Sequence, residues 1–387
     1  MKSWPQVALG DVLNRANEST ALLPDREYHE VTIKLWGKGV VSRGKVRGGD
    51  IGTARRFVRA NQLIMSKIDA RNGAIGLVPP ELDGAIVSND FPSFEVDADR
   101  VEASFLGWLV RSAAFVELCK TSSEGTTNRV RIKEERFLDQ RIALPPLTEQ
   151  LAIVQRLETL AEKTTQVADC LNAIEADAER LLAVRFCKAI ASANYRPMSE
   201  VAPSVRRPVE MDIGTRYREV GARSFGKGLF AKPEFDGAEA TWEKPVWITA
   251  GDLVLSNIKA WEGAIAVADE THAGCIASHR YITCVPFADR ATPRFLAYFL
   301  LSPDGLEQVG LASPGTADRN RTLSLTNLGK IEVPVPPLVT QRAFDSLQSK
   351  LAELRAQHAV IRKANQALIP ATLERVFGAS EDQGGSA

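Results

Sequence analysis

The chain repeats itself at a spacing of about 190 residues, and this repeat constrains its fold more than any other feature. Tyr28-His29-Glu30-Val31 returns as Tyr217-Arg218-Glu219-Val220, and Gly37-Lys38-Gly39 as Gly226-Lys227-Gly228. Ser66-Lys67-Ile68 and Gly73-Ala74-Ile75 return as Ser256-Asn257-Ile258 and Gly263-Ala264-Ile265. Gly125-Thr126, with Arg129 and Arg131, returns as Gly315-Thr316, with Arg319 and Arg321. Pro145-Pro146-Leu147-Thr148-Glu149-Gln150 returns as Pro336-Pro337-Leu338-Val339-Thr340-Gln341. The offset drifts only from 189 (Tyr28 to Tyr217) to 191 (Gln150 to Gln341). Chance does not hold five anchors in order at one offset. The chain is therefore two copies of one unit, and its function should need two similar but non-identical surfaces.

Each copy divides into a mixed part and a helical part. The expected limits are a mixed domain over 1–146, a long helix over 147–190, a second mixed domain over 191–337, a second long helix over 338–378 and a disordered tail over 379–387. In the mixed parts, Gln62–Ile68, Ile75–Val78, Asp252–Ile258 and Ala264–Ala268 are short apolar runs between turns and read as strands. Phe105–Lys120 and Phe295–Val309 carry apolar residues at helical spacing, and each reads as one packed helix of an α+β domain. Each long helix should start just after its Pro-Pro-Leu string, because proline disfavours helix at the residue before it.

Beyond Pro-Pro-Leu, Ile153, Leu157, Leu160, Thr164, Val167, Leu171, Ile174, Ala178 and Leu181 follow a strict 4-3 spacing. Phe344, Leu347, Leu351, Leu354, His358, Ile361, Asn365 and Leu368 keep the same rhythm in the second copy. These are heptad seams, and their similar width and length predict that the two helices pair with each other, antiparallel. Thr164, His358 and Asn365 on the seams should fix register at some cost in stability. Thr148 to Arg185 is 38 residues, about 57 Å of helix. Pro370 should end or kink the second helix, and Gly378 lies where a cap fits.

Composition narrows the class. Of 387 residues, 44% are hydrophobic and 25% charged, as in a water-soluble globular protein. No apolar run is long enough to span a membrane, and the first residues lack the apolar core of a signal peptide. Five scattered cysteines, with no C-x-x-C pair, point to a reducing cytoplasm and away from a disulfide frame or structural zinc. Net charge is zero, so no global field draws in nucleic acid. The charge is nevertheless uneven. Ten basic residues lie between Lys34 and Arg71, against Asp50 and Asp69 alone. That local excess suits either a phosphate-facing surface or a solvated basic loop face.

The duplicated polar positions mark candidate contacts. Each Ser-Lys/Asn-Ile string runs into a short loop, Asp69-Ala70-Arg71-Asn72 in one copy and Lys259-Ala260-Trp261-Glu262 in the other. Val87-Ser88-Asn89-Asp90 matches Ala277-Ser278-His279-Arg280. Arg129 and Arg131, like Arg319 and Arg321, are two apart, so an extended backbone projects both from one face. Paired guanidiniums suit phosphates or guanine edges, and equally an intradomain salt bridge. The candidate DNA contacts are Lys38, Lys67, Arg71, Asn89, Arg129 and Arg131 in the first copy. In the second they are Lys227, Asn257, Lys259, Arg280, Arg319 and Arg321. Backbone contacts should lie where the copies agree and base reading where they differ.

Signatures of catalysis are hard to find. Gly221-Ala222-Arg223-Ser224-Phe225-Gly226-Lys227-Gly228 has the spacing of a nucleotide-binding P-loop but ends in glycine, which cannot supply the hydroxyl that ligates Mg²⁺. The first copy has Thr32 where the leading glycine should stand. An ATPase or nuclease built on this turn is the weaker alternative. There is no G-x-S-x-G, no H-E-x-x-H and no Asn/Asp-Pro-Pro-aromatic string, and none of the four histidines is duplicated.

The two Pro-Pro-Leu strings with their long helices, the Ser-Asn-Ile…Gly-Ala-Ile strings and the Gly-Thr…Arg strings resemble the specificity subunits of type I restriction–modification systems. The resemblance runs over nearly the whole chain. It implies two target-recognition domains separated by two long helices that form an antiparallel coiled coil with internal pseudo-twofold symmetry. Each domain would read one half of a split, asymmetric sequence in double-stranded DNA, and the helices would set the gap. It further implies docking of two methyltransferase subunits and of restriction/translocase subunits, with Gln150 and Gln341 at the helix starts as partner contacts. No catalysis and no cofactor are then expected of this chain; S-adenosylmethionine, ATP and Mg would sit on the partners. Thr340 in place of Glu149 hints that the two docking surfaces are unequal. A DNA-reading role in a different defence system stays open.

Overall fold

In a computed structural model, the described residues are 4–16, 18, 21–124, 130–239, 244–315 and 320–378. They form two compact units, Met1–Leu171 with Ala359–Ala387, and Asn172–His358. The tail expected to be disordered lies outside the described residues, as do Arg129 and Arg319. No helix among the described residues is long and apolar enough to cross a membrane.

In the first unit, one four-stranded sheet runs in the order Val40–Arg47, Glu27–Ile33, Ala85–Val87, Arg56–Val58. Its antiparallel hairpin pairs Tyr28 with Val46 and carries a bulge between Glu30 and Val31. Glu30 lies beside Ile86 in a parallel pairing. A second sheet runs Leu13–Ala16, Ser93–Val96, Leu63–Met65, Ile75–Leu77. Leu63, Ile64 and Met65 are all fully buried, which is why this strand reads as a continuous apolar run without alternation. Phe94, Phe105, Phe115 and Phe137 fill the core beneath it.

The second unit repeats the plan. One sheet runs Leu229–Asp236, Arg216–Ala222, Ile276–Ala277, Val246–Trp247. Its bulge falls between Arg218 and Val220, and Glu219 lies parallel to Ile276. The other sheet holds Ile265–Val267, Leu253–Ser256 and Tyr281–Cys284. A single bridge, Ser204 to Cys284, stands where the first unit has a full strand. The bulge and the parallel pair recur at matching positions, so the copies share a backbone as well as a vocabulary.

Phe105–Lys120 and Phe295–Val309 are not single helices. The first is split into Ala103–Leu109 and Ala113–Thr121, the second into Pro293–Leu301 and Pro303–Leu311. The break is chemical. Ser112 caps the next helix by accepting from Phe115 N, and Ser302 does the same from Gly305 N, with Pro303 in the first turn behind it.

The long helices span Leu147–Ile190 and Leu338–Phe377. Within each unit their halves run antiparallel. In the first unit Asn365 Nδ2 donates to the Thr164 carbonyl at 2.7 Å. In the second, Glu179 pairs with Arg355, and Phe186 stacks on Phe344 with ring centroids 5.4 Å apart. The seam is half as expected. Leu157, Thr164, Leu171 and Ala178 do face inward, but Ala161, Ala168, Glu175 and Leu182 complete the inner row, while Val167, Ile174 and Leu181 point outward. The second helix is likewise half as expected: His358 is buried on the seam, whereas Ile361 and Leu368 are exposed. A 3.6-residue helix allows either neighbour of a heptad position to complete the stripe, and hydrophobicity alone selected the wrong one.

Pro370 neither ends the second helix nor lies near its end cap; it sits inside Leu338–Phe377. Proline forfeits one backbone bond. Burying Leu373 and packing Phe377 edge-on against Phe105 at 5.5 Å offsets that loss, each apolar side chain contributing roughly 1.5–3 kcal/mol. Gly378 closes the helix by donating its N–H to Glu374 O at 2.8 Å.

Candidate nucleic-acid interface

Two loops and a strand end converge in each unit, and the backbone holds them in the same way twice. In the first unit Lys67 N donates to Asp90 O, and Lys67 O accepts from Ile132 N, both at 2.8 Å. In the second, Asn257 N donates to Arg280 O at 2.8 Å, and Asn257 O accepts from Leu323 N at 2.6 Å. The short 3-10 turns Ala70–Asn72 and Ala260–Glu262 follow, each closed by a glycine in the left-handed region, Gly73 or Gly263. Lys67, Arg71, Asn89 and Arg131 thus belong to one frame, and Asn257, Lys259, Arg280 and Arg321 to its counterpart.

The side chains on these frames differ in kind. In the first unit cations meet carboxylates: Arg131 Nη1 to Asp90 Oδ1 at 2.8 Å, and Lys67 Nζ to Glu134 Oε1 at 2.9 Å. Asn72 donates to Asp69 at 3.4 Å. Glu134 also pairs with Arg15 at 3.1 Å. In the second unit Trp261 takes the place of Arg71, and two cations cover its ring. Arg321 lies 4.7 Å and Lys259 5.2 Å from the centroid. Lys259 also binds Glu262 at 2.7 Å, and that bond, more than any other cause, holds the half-buried Glu262 carboxyl below its ordinary range.

Several expected roles need correction. Arg321 is not a free fork: its Nη2 donates to Gly310 O at 2.8 Å and its Nε to Ser313 O at 3.3 Å. It presents its flat face to Trp261 and spends part of its donor edge on the backbone. Arg131 is exposed but already ion-paired, the intradomain alternative weighed above. Gln150 and Gln341 do not offer themselves to a partner, because both are completely buried. Gln150 accepts from Glu102 N at 2.8 Å and donates to Arg100 O and Pro145 O at 2.9 and 2.7 Å. Gln341 repeats this with Thr292 N, Arg290 O and Pro336 O at 2.9, 2.9 and 2.8 Å. Each glutamine staples the start of a long helix to its own mixed domain. Glu149 likewise turns inward, accepting from the Trp4 indole at 3.3 Å.

Sequence reasoning missed Asp90, Glu134 and Trp261 as site residues. Asp90 and Trp261 stood in the quoted loops at places where the copies disagree, which is the signal that could have found them.

The glycine–lysine turns carrying Lys38 and Lys227 are hairpin tips. The second joins the strands Arg216–Ala222 and Leu229–Asp236. A P-loop instead leads from a strand into a helix whose amides face phosphate, so the nucleotide-binding alternative does not fit this turn. Both tips are tied to the site loops. Trp36 N and Gly37 N donate to Asn72 O and Gly73 O at 2.9 and 3.0 Å; Phe225 N and Gly226 N donate to Glu262 O and Gly263 O, both at 2.8 Å.

Comparison with known proteins agrees with this architecture. Residues 1–176 match the family model described as type I restriction modification DNA specificity domain. No curated protein matches the chain. The crystal structure of the HsdS subunit from Thermoanaerobacter tengcongensis is similar over 98% of this chain and 97% of its own, at 20% identity and a TM-score of 0.61. A chain from a structure of a type I R-M system, described for complex assembly and conformational transition, is similar over 97% of this chain and 98% of its own, at 21% identity and a TM-score of 0.71. Residues 1–176 thus match the type I restriction modification DNA specificity domain, and the whole chain shares the fold of the HsdS subunit from Thermoanaerobacter tengcongensis.

Proposed function

We propose that this chain is the DNA-reading specificity subunit of a type I restriction–modification complex, and that each mixed domain reads one half of a split, asymmetric target. One observation carries the reading: equal backbone frames bear unequal side chains at Lys67/Asn257, Asp90/Arg280 and Arg71/Trp261. Equal frames suit two approaches to one repeating helical ligand. Unequal side chains suit two different base strings, since carboxylates accept from cytosine amino groups while arginines donate to guanine. The zero net charge agrees with partner subunits sharing the neutralisation of the DNA.

The outward rows support partner docking. On the second unit's part of the first helix, Ile174 and Leu181 stay 45% and 42% exposed. On the first unit's part of the second helix, Ile361 and Leu368 are each 45% exposed. Apolar residues at heptad spacing on a helix face suit a further helix, and the reading assigns these faces to two methyltransferase subunits, with restriction/translocase subunits joining them. S-adenosylmethionine, ATP and Mg then belong to the partners, and this chain contributes no catalysis.

Sequencing of methylated adenines in cells with and without the gene tests the reading. A motif of two base strings separated by a fixed gap, present only with the gene, supports it. An unchanged methylation pattern, or a single undivided motif, overturns it.

A further inference from the structure

Trp36 and Phe225 occupy the same place in the two copies, and both are held with φ at +62°. Among the described residues only Asn61 and Lys244 share a positive φ without being glycine. An aromatic residue is strained there, and glycine would not be. Burial does not compensate, because Trp36 remains 70% and Phe225 74% exposed. Strain retained twice, at matching positions, on unburied rings points to an external ligand.

The surroundings indicate which ligand. Residues 31–49 contain Lys34, Lys38, Arg43, Lys45 and Arg47 and no acid, and residues 220–233 contain Arg223, Lys227 and Lys232 and no acid; Arg43, Lys45 and Lys232 pair with Glu30, Glu27 and Glu219 on the neighbouring strands, so the cations at the tips themselves are Lys34, Lys38, Arg223 and Lys227. Lys227 Nζ lies 5.7 Å from the centre of the Phe225 ring. Both tips are hydrogen-bonded to the loops that carry Arg71 and Lys259. A flat apolar ring inside an all-cationic segment matches a nucleobase between its phosphates; an acidic protein face would satisfy the cations but would not call for the ring.

We propose that Trp36 and Phe225 each wedge into a base step of duplex DNA and partly unstack it, packing on the exposed base, with Lys38 and Lys227 holding the adjoining phosphates. This rests on the DNA reading above. Tryptophan in one copy and phenylalanine in the other fit the role, because an opened step exposes the π-face of any base to either ring.

The test uses the full chain in complex with its methyltransferase subunits and a fluorescein-labelled mixed-sequence duplex, followed by anisotropy at fixed salt. W36A and F225A should each weaken binding about tenfold, while the swaps W36F and F225W should stay within about twofold of the parent. The salt dependence should be unchanged in W36A and F225A and shallower in K38A, since only the last removes a phosphate contact. W36G and F225G should lose binding yet unfold at the same or a higher temperature, which a merely structural role for the rings would not allow. Parental affinity in W36A and F225A overturns the inference. So does loss of the methyltransferase subunits with DNA affinity intact, which would make the rings protein anchors. Failure of the parent complex to bind any duplex would instead sink the DNA reading itself.

Discussion

Gln341 donates from Nε2 to the carbonyl oxygen of Arg290 at 2.9 Å, and Gln150 makes the same bond to Arg100. Each amide is buried and makes three hydrogen bonds. Replacing Gln341 by alanine strands one N–H and two carbonyls, so the second unit should lose about 2–4 kcal/mol. Urea unfolding of Gln341→Ala against the parent measures this. A loss of partner subunits at unchanged stability would restore the glutamine to a docking role.

Asn365 reaches across the helix pair to the Thr164 carbonyl at 2.7 Å. A polar seam residue fixes register at the expense of stability. Asn365→Leu should therefore raise the unfolding midpoint of the chain, and a lowered midpoint in thermal unfolding would show the bond to be net stabilising.

Asp345 is held above the ordinary aspartate range, chiefly by burial. The folded chain thus keeps this proton to a higher pH than the unfolded chain does. The associated stability is complete below about pH 4, the ordinary value, and is lost as pH rises through the folded value. Asp345→Asn should unfold like the parent in acid and be the more stable protein at neutral pH. Unfolding curves across that range decide it; equal stabilities at neutral pH would refute the burial argument.

Cys170 and Cys187 are exposed, while Cys119, Cys275 and Cys284 are buried. Burial pushes the Cys119 and Cys284 thiols up to about 12 and raises that of Cys275 as well. Thiolate is the reactive form. Iodoacetamide at mildly alkaline pH should therefore label two cysteines quickly in the native chain and all five in denaturant. Rapid labelling of a third would contradict the packing of the mixed domains.

Inserting one heptad into both long helices should lengthen the gap in the methylated motif without altering the bases read. Methylome sequencing gives both quantities at once. Changed bases with an unchanged gap would count against the helices as spacers.

Most of the architecture was legible because it is written twice. Gly37/Gly226 marked two tight turns, and the two proline pairs marked two helix starts. The seam was only half legible: Leu160, Val167, Ile174 and Leu181 are as apolar as a core row, and only the packed structure reveals that Ala161, Ala168, Glu175 and Leu182 are turned inward. The site residues were legible as positions but not as partners. Nothing in Arg321 or Gln150 announces that its donors are taken by carbonyls far along the chain. Ser112 and Ser302 cap the second helix of each pair, but the unbroken helical spacing on either side concealed the breaks.

The first unit is finished by residues made after the whole of the second. Leu373 is packed in its core and Phe377 lies against Phe105, whereas the second unit, Asn172–His358, is continuous in sequence. A ribosome therefore releases every piece of the later-made unit before it has supplied the closing segment of the earlier one. Co-translational folding usually favours the domain made first; here that order is inverted, and the earlier-made unit must wait, incompletely covered, until the later one has been synthesised whole. A stop codon soon after His358 would spare the unit encoded second and leave the unit encoded first unsealed.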